Sequence, residues 1–295
     1  MATAAAFAIT ERLKLVKSPI YGTLISPVFS PVCGCARGKA LVRIKLRHGD
    51  HVTVSILDAG LKPLRTLATR RPVARGKSVF RWEGLTDFGD RAPDGKYRVQ
   101  VHLEGQHRTI LLPNLIRLDT TPPTLTDARA NREKFSPDGD TLADSVSIHY
   151  TLSKPAHALA YVRGRRIVRT KSHQVKGAFA WYGTVDGKAL PPGTYTIDIG
   201  AVDAAGNVTP IAERARVRVE LRYITLAGRR IVARAGRRFE IGVSTDALSY
   251  HWKLGARHGV ASGPVLRLRA PQQAGRYTLR VTENGHSSAA VVLIK

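Results

Sequence analysis

Cysteine is nearly absent from this chain, which has only Cys33 and Cys35 among its 295 residues. Two cysteines are too few for a disulfide framework and too few for a zinc site made of cysteines alone. Three arrangements stay open: free thiols, a local disulfide between the two, or a zinc site completed by His48 and His51. The segment around the histidines predicts a hairpin with Gly49-Asp50 at its tip, and nothing brings the cysteines to its face. We therefore prefer the first two arrangements.

Long apolar runs are absent as well. The apolar residues, 43% of the chain, are spread along it in short segments, and none of these could span a bilayer. No segment shows a helical period of any length. These absences exclude a membrane-spanning helical protein and favour globular domains, each with its own core.

Motifs for catalysis are also missing. The chain contains no Gly-x-Ser-x-Gly elbow, no His-Glu-x-x-His helix and no phosphate-binding glycine loop. We therefore predict that the protein is not an enzyme. A triad assembled from distant residues would leave no such motif, so a divergent enzyme is kept as an alternative.

Acidic residues are scarce: 22 Asp and Glu face 47 Lys and Arg, for a net charge of +25. Such a field favours anionic partners, namely nucleic acid, anionic lipid or acidic wall polymers. The charge is spread along the chain, which is also typical of a solvated surface. Aromatic residues do not alternate with the lysines and arginines, which argues against a groove in which the bases of single-stranded nucleic acid could stack. Bases at predicted outward strand positions are Arg43, Lys45, Arg47, Arg214, Arg216, Arg218, Arg267 and Arg269.

The first sixteen residues have the character of an export segment. They begin with a small, apolar run, and Ala6-Phe7-Ala8 has the form of a signal-peptidase site. The run is short and no basic region precedes it. We interpret residues 1–16 as the remnant of a signal peptide or membrane anchor whose upstream part is missing. This predicts an extracellular or envelope location in a bacterium, with membrane contact only through that missing anchor; the alternative is the frayed terminus of a cytosolic protein.

What the sequence does contain is an internal repeat of about a hundred residues, a length typical of a domain rather than a solenoid unit. The first copy contains Phe29-Ser30-Pro31, Trp82-Glu83-Gly84, Pro93, Gly95 and Tyr97. The second contains Phe135-Ser136-Pro137, Trp181-Tyr182-Gly183, Pro191, Gly193 and Tyr195. The last part of the chain keeps Trp252, Gly275 and Tyr277 but lacks the Phe-Ser-Pro opening.

Each copy predicts β-structure. Segments such as "VTVSIL" and "YRVQVHL" alternate apolar and polar residues, and clusters of Gly, Pro and Asp separate them. Short strands at this spacing predict an all-β protein of three tandem immunoglobulin-like β-sandwich domains. The predicted bounds are residues 17–118, 119–220 and 221–295, with a Pro-rich join at Arg117–Leu125.

The repeated Gly-x-Tyr motif has a structural interpretation. We expect Gly95, Gly193 and Gly275 to take a turn conformation that a side chain would resist. The tyrosine that follows should bury its ring and send its hydroxyl back to the preceding loop, as in a tyrosine corner. Trp82 and Trp181 are expected to cap or fill the same cores as Tyr97 and Tyr195, and Trp252 and Tyr277 are taken as structural residues of the last part, rather than as ligand-binding residues.

The second copy resembles the immunoglobulin-like domain of flagellar hook-capping proteins, a module also found in secreted bacterial proteins. The resemblance covers residues 17–219 as two copies, of which the first is more divergent. It implies a β-sandwich spacer or adhesion module outside the membrane. It implies no flagellar role, because the hook-capping part has no counterpart here. The matching elements are Phe135-Ser136-Pro137, Trp181, Gly183, Asp186-Gly187, Pro192-Gly193-Thr194-Tyr195 and Asp203-Ala204-Ala205-Gly206-Asn207.

One loop predicts an ion site. In "SPDGDTLADS", Asp138, Asp140 and Asp144 place three carboxylates around a glycine turn, and calcium prefers several such hard oxygens. The loop is similar to "SPNGDG" openings of extracellular sandwich domains, although Thr141 replaces their second glycine. The alternative is a plain Asp-Gly turn that leads into a strand at Val146. No other cofactor is predicted.

Together these features predict a non-catalytic extracellular or envelope-associated module that acts as a spacer, in adhesion or in contact with wall polymers. Its predicted partners are anionic cell-wall polymers or other envelope proteins. One alternative is a divergent polysaccharide- or wall-processing enzyme, or accessory domains of such an enzyme. The other is a nucleic-acid binder driven by charge, which the missing aromatic interleaving disfavours.

Overall fold

The computed structural model describes residues 17–295, so the predicted export remnant at residues 1–16 lies outside the described residues. Apart from one 3-10 turn at Ile211–Glu213, the regular structure of the described chain is entirely β. Its buried apolar side chains form three separate cores. The predicted class is confirmed: the protein is all-β and consists of three tandem immunoglobulin-like β-sandwiches. The described part contains no helix with the length and apolar character of a membrane span.

The first sandwich has two layers. One is the sheet β1-β3-β6, and the other is β2-β9-β7-β4-β5, in which β8 pairs with the C-terminal half of β7. Alternate residues such as Val42 and Ile44 of β3 and Val99 and Val101 of β7 are fully buried in the core between the layers. The strands are β1 (Ile20–Ile25), β2 (Val28–Phe29), β3 (Ala40–Leu46), β4 (Asp50–Leu57), β5 (Pro63–Val73), β6 (Gly76–Trp82), β7 (Gly95–Leu103), β8 (Arg108–Leu111) and β9 (Ile116–Leu118).

The second sandwich repeats this arrangement with one difference. Its 17-residue strand β12 serves both layers, because its first half pairs with β10 and β14 and its second half with β13. The register shifts between Thr151 and Ala156, where the strand passes from one layer to the other. The strands are β10 (Leu125–Ala130), β11 (Lys134–Phe135), β12 (Val146–Val162), β13 (Arg165–Arg169), β14 (Gln174–Trp181), β15 (Thr184–Val185), β16 (Lys188–Ala189), β17 (Gly193–Asp203) and β18 (Ala215–Leu221).

The third sandwich is smaller. Its layers are the sheets β19-β21-β24 and β20-β26-β25-β22-β23. The strands are β19 (Thr225–Leu226), β20 (Arg230–Ala233), β21 (Arg238–Ser244), β22 (Tyr250–Leu254), β23 (Arg257–Ala261), β24 (Val265–Arg269), β25 (Gly275–Glu283) and β26 (His286–Ile294).

All three sandwiches share one edge pairing. A short strand near the start of each sandwich lies parallel to its last strand, as β2 with β9, β11 with β18 and β20 with β26. The other described ladders are antiparallel. In the first two sandwiches the phenylalanine of the Phe-Ser-Pro motif stands in this pairing, as Phe29 opposite Leu118 and Phe135 opposite Leu221. The motif therefore marks the edge strand.

The aromatic residues of the first repeat form one buried group. The Trp82 ring lies 5.2 Å from Phe29 and 4.8 Å from Tyr97, measured between ring centroids. The indole nitrogen of Trp82 donates to the carbonyl of Leu85 at 2.9 Å, and the Tyr97 hydroxyl donates to the carbonyl of Pro93 at 2.5 Å. Both polar atoms are thus satisfied while their rings stay in the core.

The second repeat reproduces this group. Its Trp181 ring lies 5.4 Å from Phe135 and 5.8 Å from Tyr195. Trp181 donates to the carbonyl of Thr184 at 2.9 Å, and Tyr195 donates to the carbonyl of Pro191 at 2.6 Å. The three rings and the two carbonyl acceptors recur at matched positions. The internal repeat is therefore a repeat of structure as well as of sequence.

The third sandwich keeps only part of this arrangement. Tyr277 is half-buried, and its hydroxyl donates to the carbonyl of Gln273 at 3.0 Å, as in the other two corners. Trp252 lies on β22, the neighbour of β25, whereas Trp82 and Trp181 lie in the opposite layers of their sandwiches. Trp252 is half-buried and packs against the third core from this strand.

The glycine expectation holds at two of the three motif positions, because Gly193 and Gly275 have φ values of +158° and +155°, which a side chain resists. It needs correction at the first position. Gly95 has no left-handed φ, and a Cβ there would meet nothing closer than 3.9 Å. The strict requirement falls on the glycine that follows the repeated tryptophan. At Gly183 φ is +67°, and a Cβ would lie 2.5 Å from Leu221 Cδ1 and 3.1 Å from Pro137 Cγ. Pro137 of the Phe-Ser-Pro motif is thus one of the two residues whose side chains exclude a side chain at Gly183.

The hairpin predicted at Gly49-Asp50 is wrong. Strands β3 and β4 flank this turn but belong to different layers and do not pair with each other. The carboxylate of Asp50 instead accepts backbone hydrogen bonds from His51 and from Gly105, at 2.7 and 2.8 Å. The turn is a connection between layers, which a local pattern of turn residues does not distinguish from a hairpin.

By its internal contacts the chain divides into two compact units. One runs up to Pro122 and includes Val202–Val208; the other comprises Pro123–Ala201 and Thr209–Lys295. The second unit therefore contains both the second core and the third. The exact bounds predicted between the sandwiches stay predictions.

Candidate functional site

The three aspartates singled out from the sequence lie together. One carboxylate oxygen each from Asp138, Asp140 and Asp144 falls within 4.8 Å of the other two, and all three side chains are half-buried. They belong to the loop between β11 and β12 in the second unit. The structure thus brings the candidate ligands to one point.

Backbone amides hold this loop in place. Asp144 accepts from Gly139 at 2.7 Å and from Thr141 at 2.9 Å, and Asp140 accepts from Leu142 at 2.7 Å. Gly139 and Thr141 have φ values of +86° and +74°. A carboxylate oxygen has two lone pairs, so these bonds leave coordination sites open on each group. The loop is therefore a well-formed turn whose oxygens can still bind a cation.

Sequence reasoning missed a fourth carboxylate, which comes from the third sandwich. Glu283 ends β25 and is only 6% exposed. Its Oε2 accepts from the Thr245 hydroxyl at 2.8 Å, whereas its buried Oε1 has no hydrogen-bond partner among the described residues. Burial raises the pKa of Glu283, and the negative charges of Asp138 and Asp140 raise it further.

A fifth carboxylate, Asp246, follows β21 in the same sandwich and is half-buried. Burial raises the pKa of Asp246 and the charges of Asp138 and Asp140 add to this, while a hydrogen bond from its own backbone amide opposes it. We call Asp138, Asp140, Asp144, Asp246 and Glu283 the carboxylate cluster.

Tyr223 and His286 lie beside the cluster. Tyr223 packs with the second core, and its ring stacks on His286 of β26 at 3.6 Å between centroids. Burial raises the pKa of Tyr223, with a further contribution from the charge of Asp138. An aromatic contact between the second and third sandwiches therefore stands next to the carboxylates.

In the described part of the chain, no basic side chain forms an ion pair with the carboxylate cluster. This is unexpected in a chain with 47 Lys and Arg and only 22 Asp and Glu. One sequence signal could have found Glu283: it follows Leu279 and Val281 at inward positions of its strand, where an apolar residue is expected. Asp246 lies in a loop and gives no such signal.

The two cysteines are joined to each other by a disulfide. Within the first unit this disulfide packs against the loop at Gly206, where a Cβ would lie 2.5 Å from Cys35 Sγ. Because both sulfurs are in the bridge, they are not available as zinc ligands. His48 and His51 are exposed.

A second candidate site is the outer face of the larger sheet in the third sandwich. Leu279 and Val281 of β25 point into the core, whereas Arg276 and Arg280 alternate with them and are exposed. Arg280 pairs across the sheet with Lys253 of β22.

Lys253 in turn pairs with His258 of β23. Three basic groups therefore stand side by side on adjacent strands, about 5 Å apart. We call His251, Lys253, His258, Arg276 and Arg280 the basic face.

Two features make this face suited to an anion. The five strands of its sheet contain one acidic residue, Glu283, and that side chain is buried on the other side. The face also carries two shallow grooves, of about 280 and 450 Å³, that share Lys253 and Arg280. The lysines and arginines predicted from the sequence to lie at outward strand positions did not include any residue of the basic face.

No protein-family model matches the chain, and no curated protein matches its sequence. Solved structures resemble it at low identity. The fibronectin(III)-like modules of CbhA from Clostridium thermocellum are 12% identical, with 69% of this chain and 93% of that chain covered and a TM-score of 0.36. An I-band fragment of titin is 10% identical, with 95% and 99% covered and a TM-score of 0.32.

A structure of a bacterial ice-binding adhesin is also 10% identical, with 95% of this chain and 100% of that chain covered and a TM-score of 0.30. The assignment of the fold rests on the strand pairing and the tyrosine corners described above. These place the chain in the broad class of tandem immunoglobulin-like β-sandwich proteins.

Proposed function

We propose that the protein is a non-catalytic module of the bacterial envelope or extracellular space, which contacts an anionic wall polymer through the basic face of its third sandwich. The observation that carries this proposal is the row His258, Lys253 and Arg280 across three adjacent strands of a sheet whose outer side has no carboxylate. The two cations of this row, Lys253 and Arg280, lie side by side on a flat face and suit a polymer with regularly spaced phosphates or carboxylates. The first two sandwiches would then act as a spacer.

The relation to hook-capping immunoglobulin-like domains belongs to the same proposal. It is supported by the matched aromatic groups around Trp82 and Trp181 and by the proline–glycine contact at Gly183. Domains with this fold occur as modules in many unrelated proteins. The relation therefore supports a spacer role and does not identify a ligand.

The test is a binding titration of the full chain with polygalacturonate, a carboxylate polymer, and with purified wall teichoic acid, a phosphate polymer. The double variant K253Q/R280Q should bind at least tenfold more weakly than the wild type. Affinity should also fall steeply with salt, with a smaller slope in the variant because fewer counterions are released. Binding that does not depend on salt would contradict the proposal.

The matched control is K45Q/K77Q, which removes an exposed cross-strand pair of lysines from the first sandwich. It lowers the net charge by the same amount, so an equal loss in both variants would show that binding follows total charge and not this face. Duplex DNA run in parallel tests the nucleic-acid alternative, which tighter binding than to either polymer would favour. Cleavage of the polymer during incubation would favour the enzyme alternative.

A further inference from the structure

The disulfide between Cys33 and Cys35 joins residues that are only two positions apart. A disulfide constrains the unfolded chain more when it closes a longer loop, so this bridge adds little stability by that route. Its contribution lies in the surface that its two sulfurs form. Cys35 is exposed, and a Cβ at Gly34 would meet nothing within 4 Å. The bridge is therefore accessible to a small reagent.

A distant segment of the chain packs on this bridge. Val202–Val208 ends β17 and leads towards β18, yet it belongs to the first compact unit together with the cysteines. We call Val202–Val208 the Gly206 segment. A Cβ at Gly206 would lie 2.5 Å from Cys35 Sγ and 3.4 Å from Cys33 Sγ. The glycine therefore lies directly against both sulfurs, with no room for a side chain between them.

Two hydrogen bonds hold the Gly206 segment at the same place. The Arg37 guanidinium donates to the Ala204 carbonyl at 2.6 Å, and the Asn207 side-chain amide donates to the Asp119 carbonyl at 2.8 Å. Asn207 is only 3% exposed. The backbone amide of Arg37 also donates to Cys35 Sγ at 3.4 Å, so the bridge helps to position the arginine. The contact with the Gly206 segment thus depends on the turn that the disulfide closes.

The surroundings of the two sulfurs favour thiol exchange. Each sulfur accepts a backbone amide, Cys33 Sγ from Cys35 at 3.3 Å and Cys35 Sγ from Arg37 at 3.4 Å. Such donors stabilise the negative charge that a sulfur gains when the S–S bond breaks, and a stabilised thiolate leaves faster.

We propose that Cys33 and Cys35 form a reversible exchange site for dithiol reductants, and that only the disulfide form holds the Gly206 segment in the first unit. A thiolate of the reductant attacks Cys35 Sγ, the S–S bond breaks, and its electron pair goes to Cys33 Sγ. The second thiolate of the reductant then displaces Cys35 from the mixed disulfide. The bridge takes up two electrons and the two thiol protons of the reductant, which becomes a cyclic disulfide.

The opened bridge should release the Gly206 segment for a steric reason. Two thiols that are no longer bonded move apart to a non-bonded distance and need more room than the bridge. Because Gly206 lies against both sulfurs, that room has to come from the segment. The turn that positions Arg37 for Ala204 is also no longer closed.

Hydrogen exchange measured by mass spectrometry tests the proposal in the full chain. Dithiothreitol under native conditions should open the bridge, which alkylation detects as two labelled cysteines per chain. Amides of the Gly206 segment should then exchange at least tenfold faster, and reoxidation with glutathione disulfide should restore the slow exchange. The internal control is the loop at residues 138–144, which follows the second Phe-Ser-Pro motif and has no cysteine. Its exchange should not change.

Variants separate the bridge from its surroundings. C33S/C35S should show the fast exchange without any reductant, and R37Q should show at least threefold faster exchange with the bridge intact. The matched control is R81Q, which changes an exposed arginine of β6 outside the contact and should behave as the wild type. If C33S/C35S fails to fold by circular dichroism, the reduced wild type decides the same question.

Three results would overturn the proposal. A bridge that dithiothreitol opens only in urea would refute the exchange site. A reduced chain whose Gly206 segment exchanges at the oxidised rate would refute the holding role. Faster exchange at residues 138–144 as well would show that reduction unfolds the chain and does not release one segment. None of these measurements involves the basic face, so this proposal and the polymer contact can fail separately.

Discussion

Replacement of Gly183 by alanine should destabilise the second sandwich more than any other alanine in its turns. The residue has φ +67°, and a left-handed conformation costs an L-residue about 1–2 kcal/mol. The new Cβ would lie 2.5 Å from Leu221 Cδ1, and Leu221 is fully buried. Forcing a methyl group into such a site costs about 1–3 kcal/mol more. The sum, about 2–5 kcal/mol, is a large part of the stability of a single domain.

Gly187→Ala is the matched control. This glycine has φ +75° in the same repeat, but its Cβ would meet nothing within 4 Å, so only the conformational cost of about 1–2 kcal/mol applies. Urea unfolding followed by Trp181 fluorescence measures both variants, in a background with Trp82→Phe and Trp252→Phe so that only the second sandwich reports. The cost of the background cancels in the comparison. If Gly183→Ala loses no more free energy of unfolding than Gly187→Ala, the close packing against Leu221 does not set the requirement, and the reasoning is refuted.

Two further predictions concern the tyrosine corners. Tyr195→Phe removes the hydroxyl that donates to the Pro191 carbonyl, and because Pro191 is exposed its oxygen can turn to water. The loss of unfolding free energy in urea should therefore be small, about 0.5–1.5 kcal/mol, and a loss above about 3 kcal/mol would contradict this account. Burial raises the pKa of Tyr97 above the usual value of about 10, with the charges of Asp94 and Asp58 adding to the effect. The neutral phenol is thus favoured in the fold, so its contribution is complete below pH 10 and is lost as the pH rises through the raised pKa. Urea midpoints of the first sandwich should fall as the pH rises above about 10, and Tyr97→Phe should make that fall shallower; an equally steep fall in the variant would contradict this account.

The sequence was sufficient to predict the parts of the fold that depend on local pattern and on the repeat. Alternation along segments such as β7 and β17 predicts strands, and matched Trp and Tyr positions predict that two sandwiches share one core arrangement. It failed where the outcome depends on which strands pair. The residues at Gly49-Asp50 have the pattern of a hairpin turn, but β3 and β4 pair with other strands and belong to different layers. The position of Trp252 is a second example, because it packs against the third core from β22, the neighbour of β25, and not from the opposite layer.

The carboxylate cluster shows the same limit for a site. Asp138, Asp140 and Asp144 are close in sequence, so a single loop predicts them. Asp246 and Glu283 join them only through the packing of the third sandwich on the second, more than a hundred residues further along the chain. The basic face is similar, because Lys253, His258 and Arg280 become neighbours only through the register of three strands.

The parallel edge pairing has a mechanical consequence. In each sandwich the two strands that pair in parallel lie near opposite ends of that module's chain, so a pull on both ends slides one strand along the other. Their hydrogen bonds, as between Arg230–Ala233 and Val291–Ile294, run across the direction of the pull. They are then loaded together in shear, and several must break at once before the module can extend. A hairpin pulled open from its free end would instead lose its bonds one after another, at lower force. The short parallel pairing thus sets how much tension each module can bear before it unfolds.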